Sequence, residues 1–121
     1  MRQDAMTDYS EIEKEVDAHA DTIWDLAHHV WEFAELGMEE VKSSAYASAL
    51  LEKNGFAISD RGIGGLDTSW IATFSPGEGG PTIGILVEYD ALPGLGNDTK
   101  TTKTTAPSGN TNGHGMSLIH I

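Results

Sequence analysis

The chain has 121 residues, enough for one small domain; 39% are hydrophobic, and 19 acidic side chains face seven basic ones for a formal charge of −12. That balance excludes a nucleic-acid binder, which needs Lys and Arg for the phosphate backbone, and attachment to anionic membrane surfaces. With no cysteine in the chain, disulfides and thiolate metal sites are excluded too.

No stretch has the roughly 18 consecutive apolar residues of a membrane span. The N-terminus, Met1 to Asp17, lacks the apolar centre of a secretory signal, so a cytoplasmic protein is expected. The acidic residues are spread along the chain, and Lys is scarce. Three readings of that acidity stay open: a solubility device, a field that draws cations, or adaptation to high salt.

Ser10 opens the first predicted helix, with Glu13 placed three residues later as in a capping box. Ile12, Val16, Ile23, Ala27, Val30 and Ala34 recur at helical spacing, Leu26 and Phe33 widen the stripe, and Gly37 is a natural stop. Trp24 and Trp31, seven apart, are expected to pack on one side of this helix. His19 is expected to be packed or partly buried, and ligand roles for His19, His28 and His29 are disfavoured. A second helix is predicted from about Glu39 to Asn54, with Val41, Ala45, Ala49 and Leu50 as its apolar face and Asn54-Gly55 as its end. Phe56 to Ser59 and Ser69 to Ser75 alternate as strands do, on either side of a loop at Ile63 to Asp67. The glycines at 62, 64 and 65 make no phosphate loop, because they join no clear strand to a helix and lack the lysine.

Thr82 to Val87 is nearly continuous in apolar residues, the pattern of a strand covered on both faces. A central strand needs two neighbours, and few elements are left to supply them, so the sheet looks unfinished. From Gly94 onward periodicity is lost, and Asn97 to Thr105 is polar and of low complexity, either a functional loop or disorder.

Chemistry has two candidate places. Glu88 and Asp90 follow directly on the apolar run, where ligands of open α/β sheets bind. Their carboxylates either bind or orient a metal, or simply end the strand in polar residues, with Asp90 capping a turn before Pro93. His114 lies between Gly113 and Gly115, accessible as a ligand or acid–base group, or merely exposed. His120, near the end, is a weaker candidate.

Trp31-Glu32-Phe33-Ala34-Glu35-Leu36-Gly37, then Glu39-Glu40 and Ser43-Ser44, resemble the start of the aminobenzoyl-glutamate utilisation type of amidohydrolase. That type is grouped with the zinc-dependent aminoacylases, carboxypeptidases and auxin-conjugate hydrolases. Gly84 to Leu95 resembles the strand and turn that follow, and Gly113-His114-Gly115 the opening of a Gly-His-Gly-Cys-Gly-His metal motif. The resemblance implies an α/β chain, the N-terminal portion (two helices, then about three strands) of a zinc-exopeptidase-like α/β/α catalytic domain, incomplete. It implies hydrolysis of N-acyl or N-aroyl amino acids, a small-molecule amide substrate, and two divalent metals, zinc by preference, that polarise the carbonyl and activate water. Asp90 matches the carboxylate that supports a metal ligand without binding the metal itself. Glu88 stands where relatives with a His-x-Asp motif have a ligand histidine, and with His114 it would line the site.

After Gly115 the pattern departs: Met116-Ser117-Leu118 stand where Cys-Gly-His is expected. A thioether is a poor zinc ligand and Leu118 is none. No catalytic residue is therefore assigned, and no metal is expected on this chain alone. The expected organisation is a disordered N-terminus at 1–9, a partial catalytic domain at 10–93, and a loop and tail at 94–121, with 116–121 out of frame or non-homologous. Two rivals stay open: an acidic interaction module without activity, and one half of a split hydrolase completed by a second polypeptide.

Overall fold

A computed structural model describes residues 8–114. The expectations for 116–121 and His120, and most of that for 1–9, lie outside the described residues. The architecture is mixed helix and strand. Helix α1 spans Ser10–Ala18, α2 Ala20–Phe33 and α3 Val41–Lys53; strand β1 (Ala57–Arg61) and strand β2 (Trp70–Thr73) follow, separated by a 3-10 turn at Ile63–Gly65.

The single long helix expected from Ser10 is two helices. The chain breaks at His19, which ends α1 and starts α2 and is exposed. Ser10 is the first helical residue and makes no side-chain cap; instead Asp8 Oδ1 accepts the Ser10 amide at 3.0 Å. That bond holds the Asp8 carboxyl below its ordinary range. Helix α2 ends at Ala34, which takes a left-handed conformation at φ 42, three residues before the expected Gly37. A left-handed alanine is strained, and its methyl is buried, so packing holds it there.

Helix α3 matches the expected span, and Gly55 beyond it adopts φ 87, a region open to glycine. Its buried face, however, is polar. Ser43, Ser44 and Ser48 are buried, while Val41, Ala45 and Ala49 face solvent. The serines can be buried because each has a partner. Ser44 Oγ donates to the Thr68 carbonyl (2.8 Å), Ser48 Oγ donates to the Ala45 carbonyl (3.3 Å) and accepts from Arg61 Nη2 (3.2 Å), and Ser43 reaches Glu35. Their small size also lets α3 lie close to the hairpin.

Strands β1 and β2 pair antiparallel, Ala57 opposite Thr73 and Arg61 opposite Trp70, with a bulge at Ser59 between Ile58 and Asp60. Phe56 and Phe74 pack against each other at the open end of the hairpin, their rings tilted and centroids 5.2 Å apart.

The third expected strand does not form: residues 82–87 carry no strand pairing among the described residues. The physical reason is the one that makes the run look central. It needs a strand on each side, and β1 and β2, the strands of the sheet among the described residues, pair only with each other. Among the described residues only Ala34 and Ala91 are buried apolar side chains. The α1 stripe, at Ile12 and Val16, is exposed, as are Ile23 and Trp24 of α2. Trp24 therefore does not pack as expected, whereas Trp31 is half-buried and stacks on His28.

Candidate functional site

The backbone brings together three segments that are far apart in sequence: Glu35 to Gly37 after α2, Asp90 to Leu92 after the apolar run, and Gly113-His114. The Ala91 amide donates to the Glu35 carbonyl at 2.7 Å, a parallel bridge between Leu36 and Ala91. Leu92 and Gly113 exchange two hydrogen bonds (3.0 and 3.1 Å) as an antiparallel bridge, and the Gly96 amide donates to the Thr111 carbonyl at 2.8 Å.

Glu35 organises one side. Its Oε1 accepts the Lys42 amide (2.9 Å) and its Oε2 accepts both the amide (2.8 Å) and hydroxyl (2.9 Å) of Ser43. The first amides of a helix have no partner within it, and its N-terminus carries partial positive charge. A carboxylate there satisfies both. Spacing rules look for such a cap three residues before its partner, and Glu35 acts from eight away, so no capping pattern revealed it. Glu40 accepts from Thr68 Oγ1 at 2.8 Å, and Tyr89 donates its hydroxyl to the Thr68 carbonyl at 2.8 Å, which ties the approach to Asp90 to the start of β2.

Asp90 is half-buried, its carboxylate lying over Gly37; a methyl at residue 37 would sit 3.7 Å from Asp90 Oδ2. His114 is half-buried, with Nε2 3.1 Å from the Val30 carbonyl. A carbonyl only accepts, so Nε2 carries the proton, and in the neutral ring the lone pair is on Nδ1. Glu88 is exposed and makes no side-chain hydrogen bond among the described residues. Asp90 and His114 thus sit on adjacent bridged segments, and Glu88 stands apart from them in solvent.

Beside this junction, Trp31, Ala34, Asn97, Pro107, Asn112 and Gly113 line a cleft of about 50 Å³. Asn97 shapes its wall, accepting the Thr104 amide on Oδ1 (2.7 Å) and donating to the Asp98 carbonyl (3.0 Å). Part of the polar stretch from 97 to 105 is thereby an ordered turn. On α2, His28 and Glu32 (3.4 Å) and His29 and Asp25 (3.5 Å) form pairs one helical turn apart.

Among the described residues no group of three or more His, Cys, Asp or Glu side chains could hold a metal ion. The donors present do not fit a metal centre by themselves. Nor is any helix among them long and apolar enough to cross a membrane.

No family model matches the chain, and no solved structure matches it. It is 34% identical over 107 residues to a subunit of the p-aminobenzoyl-glutamate hydrolase of Escherichia coli (strain K12). The match covers 88% of this chain and 22% of that protein. The resemblance carried by the motifs at 31–44, 84–95 and 113–115 is therefore matched by similarity along nearly the whole chain, which is a homologue of that aminobenzoyl-glutamate hydrolase subunit and spans about a fifth of its length.

Proposed function

We propose that these 121 residues form part of an amidohydrolase of the aminobenzoyl-glutamate type, one that cleaves the amide between an acyl or aroyl group and an amino acid. The observation that carries this reading is the similarity over 88% of the chain to a hydrolase subunit. It is supported by the convergence in space of three segments that bear the motifs, Glu35 to Gly37, Asp90 to Leu92 and Gly113-His114.

In this reading the fold is the start of a zinc-exopeptidase-like α/β domain. Asp90 holds a carboxylate ready to orient a ligand contributed from outside the described residues. His114, with Nε2 anchored on Val30, keeps the Nδ1 lone pair for a ligand, and Glu88, apart in solvent, would come to line the site only when the centre is complete. A complete hydrolytic centre needs further donors, because the described residues hold no three-ligand group. The matched relative is itself named as one subunit of a hydrolase, which supports a complementing second polypeptide.

The test is amide turnover with p-aminobenzoyl-glutamate and zinc. The 121-residue polypeptide alone is expected to show no turnover above a blank and no micromolar zinc binding by calorimetry. Joined to the part of the relative that lies outside the match, it is expected to release glutamate. Turnover by the isolated chain would refute its dependence on further donors, and a completed complex that is inert towards every N-acyl and N-aroyl amino acid tried would refute the activity.

A further inference from the structure

The cleft of about 50 Å³ lies against the bridged junction, because Gly113, which bonds Leu92 and precedes His114, forms part of its wall. A water needs about 10–15 Å³, so the space takes about three or four waters or a group of a few heavy atoms. It is roughly a third of a cavity that holds a whole benzene ring. Ala34 also lines it, buried and left-handed at φ 42. An alanine persists in that conformation only where its surroundings over-determine it, and such outliers gather at ligand sites.

The lining fixes the kind of guest. Trp31 is half-buried and stacks on His28, rings 5.7 Å apart and 22° from parallel, so the cleft has a fixed aromatic side. Glu32 is the ionisable residue of the lining; among the described residues no Lys, Arg or His joins it there. An anion entering the cleft would meet a carboxylate with no cation along the wall to offset it. His28 reaches one Glu32 oxygen, at 3.4 Å, and leaves the other. The two asparagines differ. Asn97 spends its side chain within the loop, accepting the Thr104 amide and donating to the Asp98 carbonyl. Asn112 donates its backbone amide to Asn110, but its side chain makes no hydrogen bond among the described residues, so its Oδ1 is left to accept one.

Resting on the amidohydrolase reading, we propose that this cleft seats the far end of the substrate's aroyl group and selects a neutral amine there over an anion. The ring stays at the mouth, against Trp31 and Pro107, because the cleft is too small to enclose it. The amine enters and donates its N–H bonds to Asn112 Oδ1 and to the Glu32 oxygen that His28 leaves free. Glu32 keeps the carboxylates of the amino-acid half out of the cleft, which orients the substrate. The amide to be cut then lies at the other end of the ring, toward Asp90 and His114.

Nuclear magnetic resonance of the 121-residue chain with three probes tests this: para-aminobenzamide, benzamide and para-carboxybenzamide. A seat for a few atoms binds at about millimolar strength at best, which sets the probe concentration. Para-aminobenzamide is expected to shift the Trp31 indole and Asn112 side-chain resonances, benzamide to bind about tenfold more weakly, and para-carboxybenzamide to shift neither. Glu32→Gln, which keeps the shape and removes the charge, is expected to admit the carboxylate probe. Four results overturn the proposal: equal shifts from all three probes, no shift from any, shifts confined to residues away from the cleft, or continued exclusion of the carboxylate by Glu32→Gln. A chimera in which this chain replaces the matched segment of the E. coli subunit separates the two readings. If it releases glutamate from p-aminobenzoyl-glutamate while no probe moves Trp31 or Asn112, the cleft falls and the hydrolase reading stands. If para-aminobenzamide moves both residues and the chimera is inert towards every amide tried, the cleft remains an amine site and the hydrolase reading falls.

Discussion

Glu35 links α3 to the Ala91 segment through both its side chain and its main chain. Its carboxylate closes the start of α3 and its carbonyl takes the Ala91 amide. Glu35→Ala leaves the Lys42 and Ser43 amides without an acceptor, at a cost of about 1–2 kcal/mol. Amide exchange at these two residues should then accelerate by roughly tenfold or more, and Glu35→Gln, which keeps one acceptor oxygen, should show less. Unchanged exchange in Glu35→Ala would refute this role. A second link joins α2 to α3: Tyr46 donates its hydroxyl to Asp25 and stacks on His29, centroids 4.5 Å apart. The hydrogen bond to Asp25, followed by burial and the carboxylate's charge, pushes the Tyr46 phenol above its ordinary value of 10.0. A raised folded value means the link is fully present below about pH 10 and is lost as pH rises through that raised value. Ultraviolet titration should find Tyr46 ionising later in the native chain than in the Asp25→Ala variant; coincident midpoints would contradict the link.

At the scale of elements, the candidate site is a junction of loop ends, and glycine makes it possible. A methyl at residue 113 would lie 2.8 Å from the Leu95 carbonyl carbon and 2.9 Å from the Gly96 Cα, with the Leu95 oxygen closer still. Backbone cannot swing aside as a flexible side chain can. Gly113→Ala should therefore separate Leu92 from Gly113 at a cost of about 1–3 kcal/mol, freeing the Leu92 amide and shifting the His114 ring resonances. Gly84→Ala, where nothing lies within 4 Å, serves as the control and should change neither. Equal behaviour of the two variants in exchange and nuclear magnetic resonance would show that the bridge does not depend on this close approach. The serine face of α3 follows the same logic of close approach, with each buried hydroxyl matched to a partner.

For the molecule as a whole, two large terms oppose compactness. Little apolar surface is buried, and a charge of −12 repels itself. The isolated chain should melt without a sharp transition, since the described residues form no extensive core to couple its parts. Raising potassium chloride to about 1 M shrinks the screening length to about 3 Å. That should reduce the radius of gyration in X-ray scattering and raise helicity in circular dichroism. Insensitivity of both to salt would remove self-repulsion as the controlling term and, with it, the high-salt reading of the composition.

Much of the local structure is legible in the residues themselves. The span of α3 with its glycine end, the two alternating strands and the break in periodicity after Gly94 are set by choices within a few residues, which the sequence states directly. The apolar run at 82–87 declares its need for cover on both faces just as plainly. The break at His19, the serine face of α3 and the cap from Glu35 are not legible, because each depends on which neighbour is near. The meeting of Glu35 to Gly37 with Asp90 to Leu92 and Gly113-His114 is visible only as motif resemblance. His114 and Val30 are 84 residues apart, and no local pattern encodes so distant a pairing. By itself, then, the sequence determined the elements and the charge of this protein. Tertiary structure decided which polar groups are buried and which segments meet, because both turn on satisfying hydrogen bonds across long separations.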